Sequence, residues 1–210
     1  MARWMMRLRK WLDTIPDWLW PHLTGDPIAP PSGLREVGVL GEAALAAVER
    51  SVEQRLSRVD ERLRAVESKL VAMLTLTSIL SAAVTAGFAA VSTLRPQAGS
   101  LRIPLAIGVL LATYTIVNLL RSVWATVSGL MRRGFGEISY SDLAPRDKES
   151  ELEYRTRVLN RHLNHAEWND WVLDQKVSEL AVAHVALRNA LSATGGLIIA
   201  GLVVALLRLL

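Results

Sequence analysis

The amino-acid sequence predicts an all-α integral membrane protein with a transmembrane hairpin, a third C-terminal span and a cytosolic coiled-coil-like helical stalk. The mean hydropathy is +0.26 although 21% of the 210 residues are charged, so apolar and charged residues must be segregated. Uncharged blocks occupy residues 70–94, 103–120 and 189–207, and about 20 apolar helical residues span a bilayer. Two of the blocks follow stretches with a seven-residue apolar repeat, which is typical of coiled coils.

The first 20 residues predict a cationic helix at a membrane surface rather than a signal peptide. Trp4, Trp11 and Trp18 fall on one helical face beside basic residues, and no continuous apolar core follows them. Indole rings favour the headgroup layer, where the ring is buried and the N–H stays hydrated. Alternatively, this face packs on the protein's own helices. Residues 21–41 are rich in proline and glycine and are predicted to form a linker.

Residues 42–69 predict a cytosolic coiled-coil helix that continues into the first span. Apolar residues alternate in steps of four and three, and the charged residues avoid these positions. No proline or glycine separates this seam from the first uncharged block, which favours one continuous helix from about Glu42 to Leu94. The seam residues are Val52, Leu56, Val59, Leu63, Val66, Leu70 and Met73.

Residues 145–188 predict a second cytosolic helix, which runs without a breaker into the span at 189–207. Ser141 or Asp142 is placed to cap its start near Pro145. One seven-residue register again collects the apolar side chains. Its members are Leu152, Leu159, Leu163, Ala166, Leu173, Val177, Leu180, His184, Leu187 and Leu191.

Both cytosolic helices would enter the membrane at their C-terminal ends, so they are predicted to be parallel and to pack as a stalk. The packing could occur within one chain or between protomers. The alternative is two independent helices that each self-associate. Equal heights for the entry points Leu70 and Leu191 would place Leu56 against Val177, Val59 against Leu180, Leu63 against His184 and Val66 against Leu187.

Charge outside the spans predicts their orientation. The loop at 95–102 is short and forces residues 70–94 and 103–120 into an antiparallel hairpin. Basic residues are concentrated before and after this hairpin, which places both of its ends, the N-terminus and a juxtamembrane linker at 121–144 in the cytoplasm. The C-terminus then lies outside, unless the glycines of 189–207 make the third span shallow or re-entrant.

Small and hydroxyl-bearing residues predict helix contacts within lipid. Small residues at four-residue spacing let helix backbones approach closely. The hydroxyl groups of the first span could line a pore in an oligomer, or they could bond to carbonyls of their own helix. The residues of this predicted pore or packing face are Ser78, Ala82, Thr85, Ala86, Ser92, Gly196 and Gly201.

The residues give little sign of chemistry. There is no cysteine, no phosphate-binding glycine loop and no nucleophile elbow, so we expect no enzyme activity, no cofactor and no metal site. His162 and His165 are interpreted as part of a solvated helix face. The excess positive charge is mostly juxtamembrane, which favours membrane lipid over nucleic acid as a partner. Trp168 and Trp171 are packing anchors or, alternatively, a surface on which a nucleobase stacks.

The layout resembles the small multi-span effectors of bacterial nucleotide-signalling defence, of the SLATT and Pycsar transmembrane families. The resemblance lies in RLRAVESKLVAMLTLTSIL at 62–80, the short hairpin and the later helical arm with NDWVLDQK at 169–176. It implies a homo-oligomer of the bacterial inner membrane that disrupts the membrane when a cytosolic protein or nucleotide signal arrives, and it carries over no functional residue. The alternative is a membrane-anchored scaffold that recruits a cytosolic partner.

Overall fold

The computed structural model describes residues 30–31, 37–38, 41–92, 102–131, 144–147 and 149–209. Three long helices account for most of them and no strand occurs among them: α1 at Glu42–Ser92, α2 at Arg102–Met131 and α3 at Glu151–Leu209. The all-α class is confirmed, and α1 and α3 each run unbroken from a seam into an uncharged block. All three are long and apolar enough to cross a membrane. The predicted surface helix at 1–20 lies outside the described residues.

Two helix boundaries differ from prediction. The span expected at 103–120 belongs to a helix that continues to Met131, because Arg121 is buried at 8% exposure and does not end it. At the start of α3, the Glu153 N–H donates to Ser150 Oγ at 3.3 Å and the Ser150 N–H donates to the Glu153 carboxylate at 2.9 Å. This capping box fixes the first residue of α3 at Glu151. The predicted start near Pro145 is therefore wrong.

The chain divides into two units, and α1 and α3 contribute to both. The charged unit comprises the described residues of Gly25–Lys69 and Gly129–Ser178. Its core is formed by Leu45, Val52 and Leu159, against which Val48, Leu56, Leu152 and Leu163 pack.

Ion pairs join α1 to α3 across the charged unit. Glu49 pairs with Arg155 at 2.6 Å, and further along both helices Arg55 pairs with Asp170 and Glu67 with Lys176. The numbers rise together, so the two helices are parallel within one chain. This agrees with the predicted direction of the two helices.

The predicted register of the two seams is wrong. Leu56 packs in the cluster of Leu159 and Leu163 rather than against Val177, and Val177 is 44% exposed. The alignment assumed equal heights for the two membrane entry points, whereas packing and ion pairs set the actual register. The seven-residue register also fails along α3, where His184 is exposed, because a straight helix repeats every 3.6 residues and drifts from a heptad.

The apolar unit comprises the described residues of Leu70–Ser128 and Glu179–Leu210. Several of its core residues are alanines, whose small side chains let the helices approach closely. A methyl group added at Gly196 would lie 3.5 Å from Leu111 Cδ1, an ordinary contact, so this approach does not require glycine. The core cluster contains Met73, Leu119, Ala125, Val182, Ala183, Leu187 and Ala190.

Candidate functional site: a polar face buried in the apolar unit

One face of α2 is polar and buried. Thr115, Asn118, Ser122 and Thr126 recur in steps of three and four, and each has 0% exposure. This spacing aligns them along one side of the helix. The predicted second span ended at Leu120 and therefore did not include Ser122 or Thr126. The stretch RSVWATVSGLM at 121–131 contains no proline and no charge after Arg121, and this was the signal that could have revealed the rest of the face.

A hydroxyl pair connects α1 to α2. Thr77 Oγ1 donates to the Met73 carbonyl at 2.7 Å and lies 3.1 Å from Ser122 Oγ. Since the single hydroxyl hydrogen of Thr77 is given to Met73, the Ser122 hydroxyl is the donor between the helices. Both residues are fully buried, so this bond forms away from competing water.

An amide pair connects α2 to α3. Asn118 Nδ2 donates to the Tyr114 carbonyl at 3.0 Å, and Asn189 Nδ2 donates to Asn118 Oδ1 at 3.4 Å. With the hydroxyl pair, α2 has a polar connection to each of the two neighbouring helices.

The apolar unit also buries charge and one unsatisfied hydroxyl. Arg121 is 8% exposed and Glu179 is 6% exposed, and each has an interaction partner. The Thr126 hydroxyl is buried and has no hydrogen-bond partner among the residues that the structure describes. Ionisable and unsatisfied polar groups inside an apolar helical unit are costly, and in membrane proteins they concentrate at functional positions.

The predicted face of α1 lies on the surface of the apolar unit. Ser78, Ala82, Thr85 and Ala86 are all exposed. Ser78 donates to the Leu74 carbonyl at 2.9 Å and Thr85 to the Ser81 carbonyl at 2.8 Å. The hydroxyls therefore bond within their own helix, which was one of the two readings of the sequence. The face presents small, internally satisfied side chains.

The other predicted positions are scattered. Ser92 is the last residue of α1, and the space around Gly201 is open. Trp4, Trp11 and Trp18 lie outside the described residues. Eight residues were predicted to pair across the stalk. Of these, Val59, Val66 and Leu187 are buried; Leu56, Leu63 and Leu180 are half-buried; Val177 and His184 are exposed.

Hydrogen bonds, nearby charges and burial shift the pKa values of several side chains in the charged unit. The Arg155 guanidinium hydrogen-bonds to Glu49 and lowers the pKa of that carboxyl, and the same bond raises the pKa of Arg155. Burial lowers the pKa of His165, against the opposing effect of the Asp60 charge. No group of three or more metal-ligating side chains comes together in the part of the chain that the structure describes.

Aromatic and amide side chains add two local features to the charged unit. The Trp168 and Trp171 rings contact each other, with centroids 4.9 Å apart and planes tilted by 54°. Asn160 holds the backbone of Val37: the Val37 N–H donates to Asn160 Oδ1 at 2.8 Å, and Asn160 Nδ2 donates to the Val37 carbonyl at 3.4 Å. A side-chain amide thus satisfies both backbone groups of a residue far away in the sequence.

No protein-family model, curated protein or solved structure matches this chain. Three features of the described residues bear on function: the buried polar face of α2, the exposed small face of α1 and the ion-paired helices of the charged unit.

Proposed function

We propose that this protein is a homo-oligomer of the bacterial inner membrane that permeabilises the membrane in response to a cytosolic signal. The observation that supports this function is the division of α1 into two faces. Leu70, Met73 and Thr77 are buried against the chain's own helices, whereas Ser78 and Ala82 face outward. In lipid, a face of small residues is a contact surface for another helix, and a second copy of this chain supplies one.

A path through the membrane would then form between copies. In a single chain the buried cluster of the apolar unit occupies the space among the three helices. Permeation by one chain would require that packed cluster to open, whereas association of several copies leaves it intact. Homo-oligomers with closed symmetry are the common form of such assemblies.

We expect the cytosolic signal to bind the charged unit. It contains parts of α1 and α3, the same two helices that supply two of the candidate spans. A protein or nucleotide that binds the charged unit therefore acts on helices that continue into the apolar unit. This arrangement also agrees with the layout resemblance to SLATT and Pycsar effectors.

Reconstituted vesicles test this function. The full-length protein should release an entrapped dye, and cross-linking should trap oligomers in the same vesicles. Ser78→Leu should reduce both, because a bulky side chain blocks close helix approach. Thr113→Leu on α2 is the matched control, since Thr113 is also exposed and donates to its own helix, at 2.9 Å from the Val109 carbonyl. Wild-type vesicles that leak no more than empty ones would contradict the proposal.

Introduced thiols test the topology. The chain contains no cysteine, so single cysteines at Ala98 and Ser139 report their own compartments. We expect Ala98→Cys to react from the periplasm and Ser139→Cys from the cytoplasm. Labelling of both from the same side would contradict the hairpin.

The second candidate function is a membrane-anchored scaffold. It is favoured by the three ion pairs between α1 and α3 in the charged unit, because paired parallel helices form a fixed platform for a cytosolic partner. A scaffold assembles without permeation. Oligomers without dye release in the vesicle experiment would favour this function over the first.

A further inference from the structure

The outer face of α3 in the apolar unit carries an exposed cation, Arg188. Ala181, His184, Arg188 and Ser192 are exposed and follow one another in steps of three and four, so they share one side of the helix. Arg188 makes no ion pair or side-chain hydrogen bond with any residue that the structure describes. Its charged group is therefore exposed at the surface of the described helices.

Two side-chain bonds fix the height of Arg188 relative to the neighbouring helices. Asn189 meets Asn118 of α2, which sets Arg188 level with Leu119. Gly196 lies against Leu111. Gly196 is seven residues after Asn189 and Leu111 is seven residues before Asn118, so α2 and α3 are antiparallel and both contacts give the same alignment of the two helices. Thr77 of α1 meets Ser122.

The apolar surface of α2 extends well beyond that height. Large apolar side chains are exposed from Ile107 to Val127, which corresponds to about 30 Å at 1.5 Å per residue, the thickness of a hydrocarbon core. Arg188, level with Leu119, lies about 12 Å inside the Val127 end. Close to the same height Leu120 is 61% exposed and Ile79 of α1 is 62% exposed.

At one depth, then, α1 and α2 present side chains suited to lipid and α3 presents a guanidinium. An arginine near a membrane edge extends its head to the interface. An arginine this far inside must instead face a partner or a water-filled space. A second copy of the same chain on this face would bring its own arginine close to Arg188, and these like charges would repel unless water separated them.

We propose that Arg188, with His184 and Ser192 on the same face, lines a water-filled path between copies, and that this path favours small inorganic anions such as chloride over cations. Rings of arginine or lysine side chains select anions in pores. The inference rests on the proposed permeabilising function and adds the class of ion that permeates.

The test is a reversal-potential measurement on the full-length protein in planar bilayers under a potassium chloride gradient. We expect a reversal potential on the chloride side for the wild type. Arg188→Glu should move it to the potassium side, and Arg188→Lys should keep the wild-type sign. Arg58→Glu is the matched control: it makes the same charge change at an exposed position in the charged unit and should leave the sign unchanged.

A second variant tests the inference even if Arg188→Glu does not fold or assemble. Arg188→Cys should react with a water-soluble, negatively charged thiol reagent in the assembled protein, and the attached sulfonate should shift the reversal potential toward potassium. A thiol at 188 that resists this reagent while current flows would overturn the inference, as would a contact of Arg188 with lipid phosphate alone, seen as dependence on anionic lipid without a change in selectivity. Absence of current in the wild type would instead contradict the proposed function itself.

Discussion

Different contacts stabilise the interior of each of the two units, although α1 and α3 contribute to both. In the charged unit, long ionic side chains pair across a narrow leucine and valine core. In the apolar unit, alanines form much of the core, and hydroxyl and amide groups supply the bonds between helices. The same pair of helices thus changes its contacts at about Leu70 on α1 and Glu179 on α3.

This difference is what we expect if the charged unit lies in water and the apolar unit in lipid, as proposed above. Water drives apolar side chains together, so a unit in water gains most from burying leucine and valine. Lipid tails give no such advantage, and helices in lipid gain from close packing and from polar bonds between them. The two units should therefore respond to different substitutions.

The largest expected effect comes from the core of the charged unit. Leu159 is 2% exposed and belongs to the cluster of Leu45 and Val52. Leu159→Ala should lower the free energy of unfolding by about 2–5 kcal/mol, through lost burial and the cavity left behind. Denaturant unfolding of the full chain in detergent micelles measures it.

Val177→Ala is the control for that experiment. Val177 shares the predicted seam of α3 but is 44% exposed, so its truncation should change the unfolding free energy by less than about 0.5 kcal/mol. Equal losses for both variants would favour the predicted seam register over the one in the structure.

In the apolar unit, one substitution should increase the free energy of unfolding. The buried Thr126 hydroxyl has no hydrogen-bond partner within the described part of the chain, and an unsatisfied buried polar group costs about 1–3 kcal/mol. Thr126→Val keeps the shape and removes the hydroxyl, so it should raise the unfolding free energy, by about 1 kcal/mol at least. Ser122→Ala, which breaks the bond to Thr77, should lower it in the same assay. A loss of stability in both variants would show that the Thr126 hydroxyl is satisfied in the membrane.

Much of the fold could be predicted from the sequence because its signals are local. Uncharged blocks, heptad spacing and the absence of breakers between them predicted α1 and α3 as long helices, and the shared direction of entry predicted that they are parallel. The start of α3 is also encoded locally, in the capping residues Ser150 and Glu153. The prediction placed this start near Pro145 because Pro145 and its preceding polar residues also suit the first turn of a helix. These features require no knowledge of what a helix packs against.

The register and the polar site could not be predicted in the same way. Whether Leu56 meets Val177 or Leu159 depends on side chains of two helices together, and ion pairs such as Arg55 with Asp170 are one choice among many in a charge-rich sequence. Arg121 read as the end of a span because burial of a charge depends on its partners. The polar face beyond it was consequently assigned to a linker.

A smaller effect is expected where Asn160 holds Val37. Val37→Pro removes the N–H that donates to Asn160, whereas Val37→Ala keeps it. The proline variant should be less stable than the alanine variant by about 0.5–1.5 kcal/mol, the net value of one hydrogen bond. Denaturant unfolding of the two variants measures the difference, and equal stabilities would show that this bond contributes nothing.

The smallest effect is a pH dependence confined to the charged unit. Hydrogen bonds from Arg157 and from the Arg146 backbone lower the pKa of Glu149 from 4.5 to about 2. A carboxyl whose pKa is lower in the folded state binds protons more weakly there than in the unfolded state, so its stabilising effect is complete above pH 4.5 and is lost as the pH falls toward 2.

Glu149→Gln should remove that contribution and flatten the stability profile over this range while leaving the profile above pH 5 parallel to the wild type. The Arg157 guanidinium also donates to the Ala144 carbonyl at 2.9 Å, so part of the contact survives the substitution and the effect stays small. Unfolding curves at several pH values measure it, with Glu151→Gln as the control because Glu151 is an exposed carboxylate on the first turn of α3. Equal flattening by both variants would mean that charge in general, and not the contact between Glu149 and Arg157, sets the acid response of this unit.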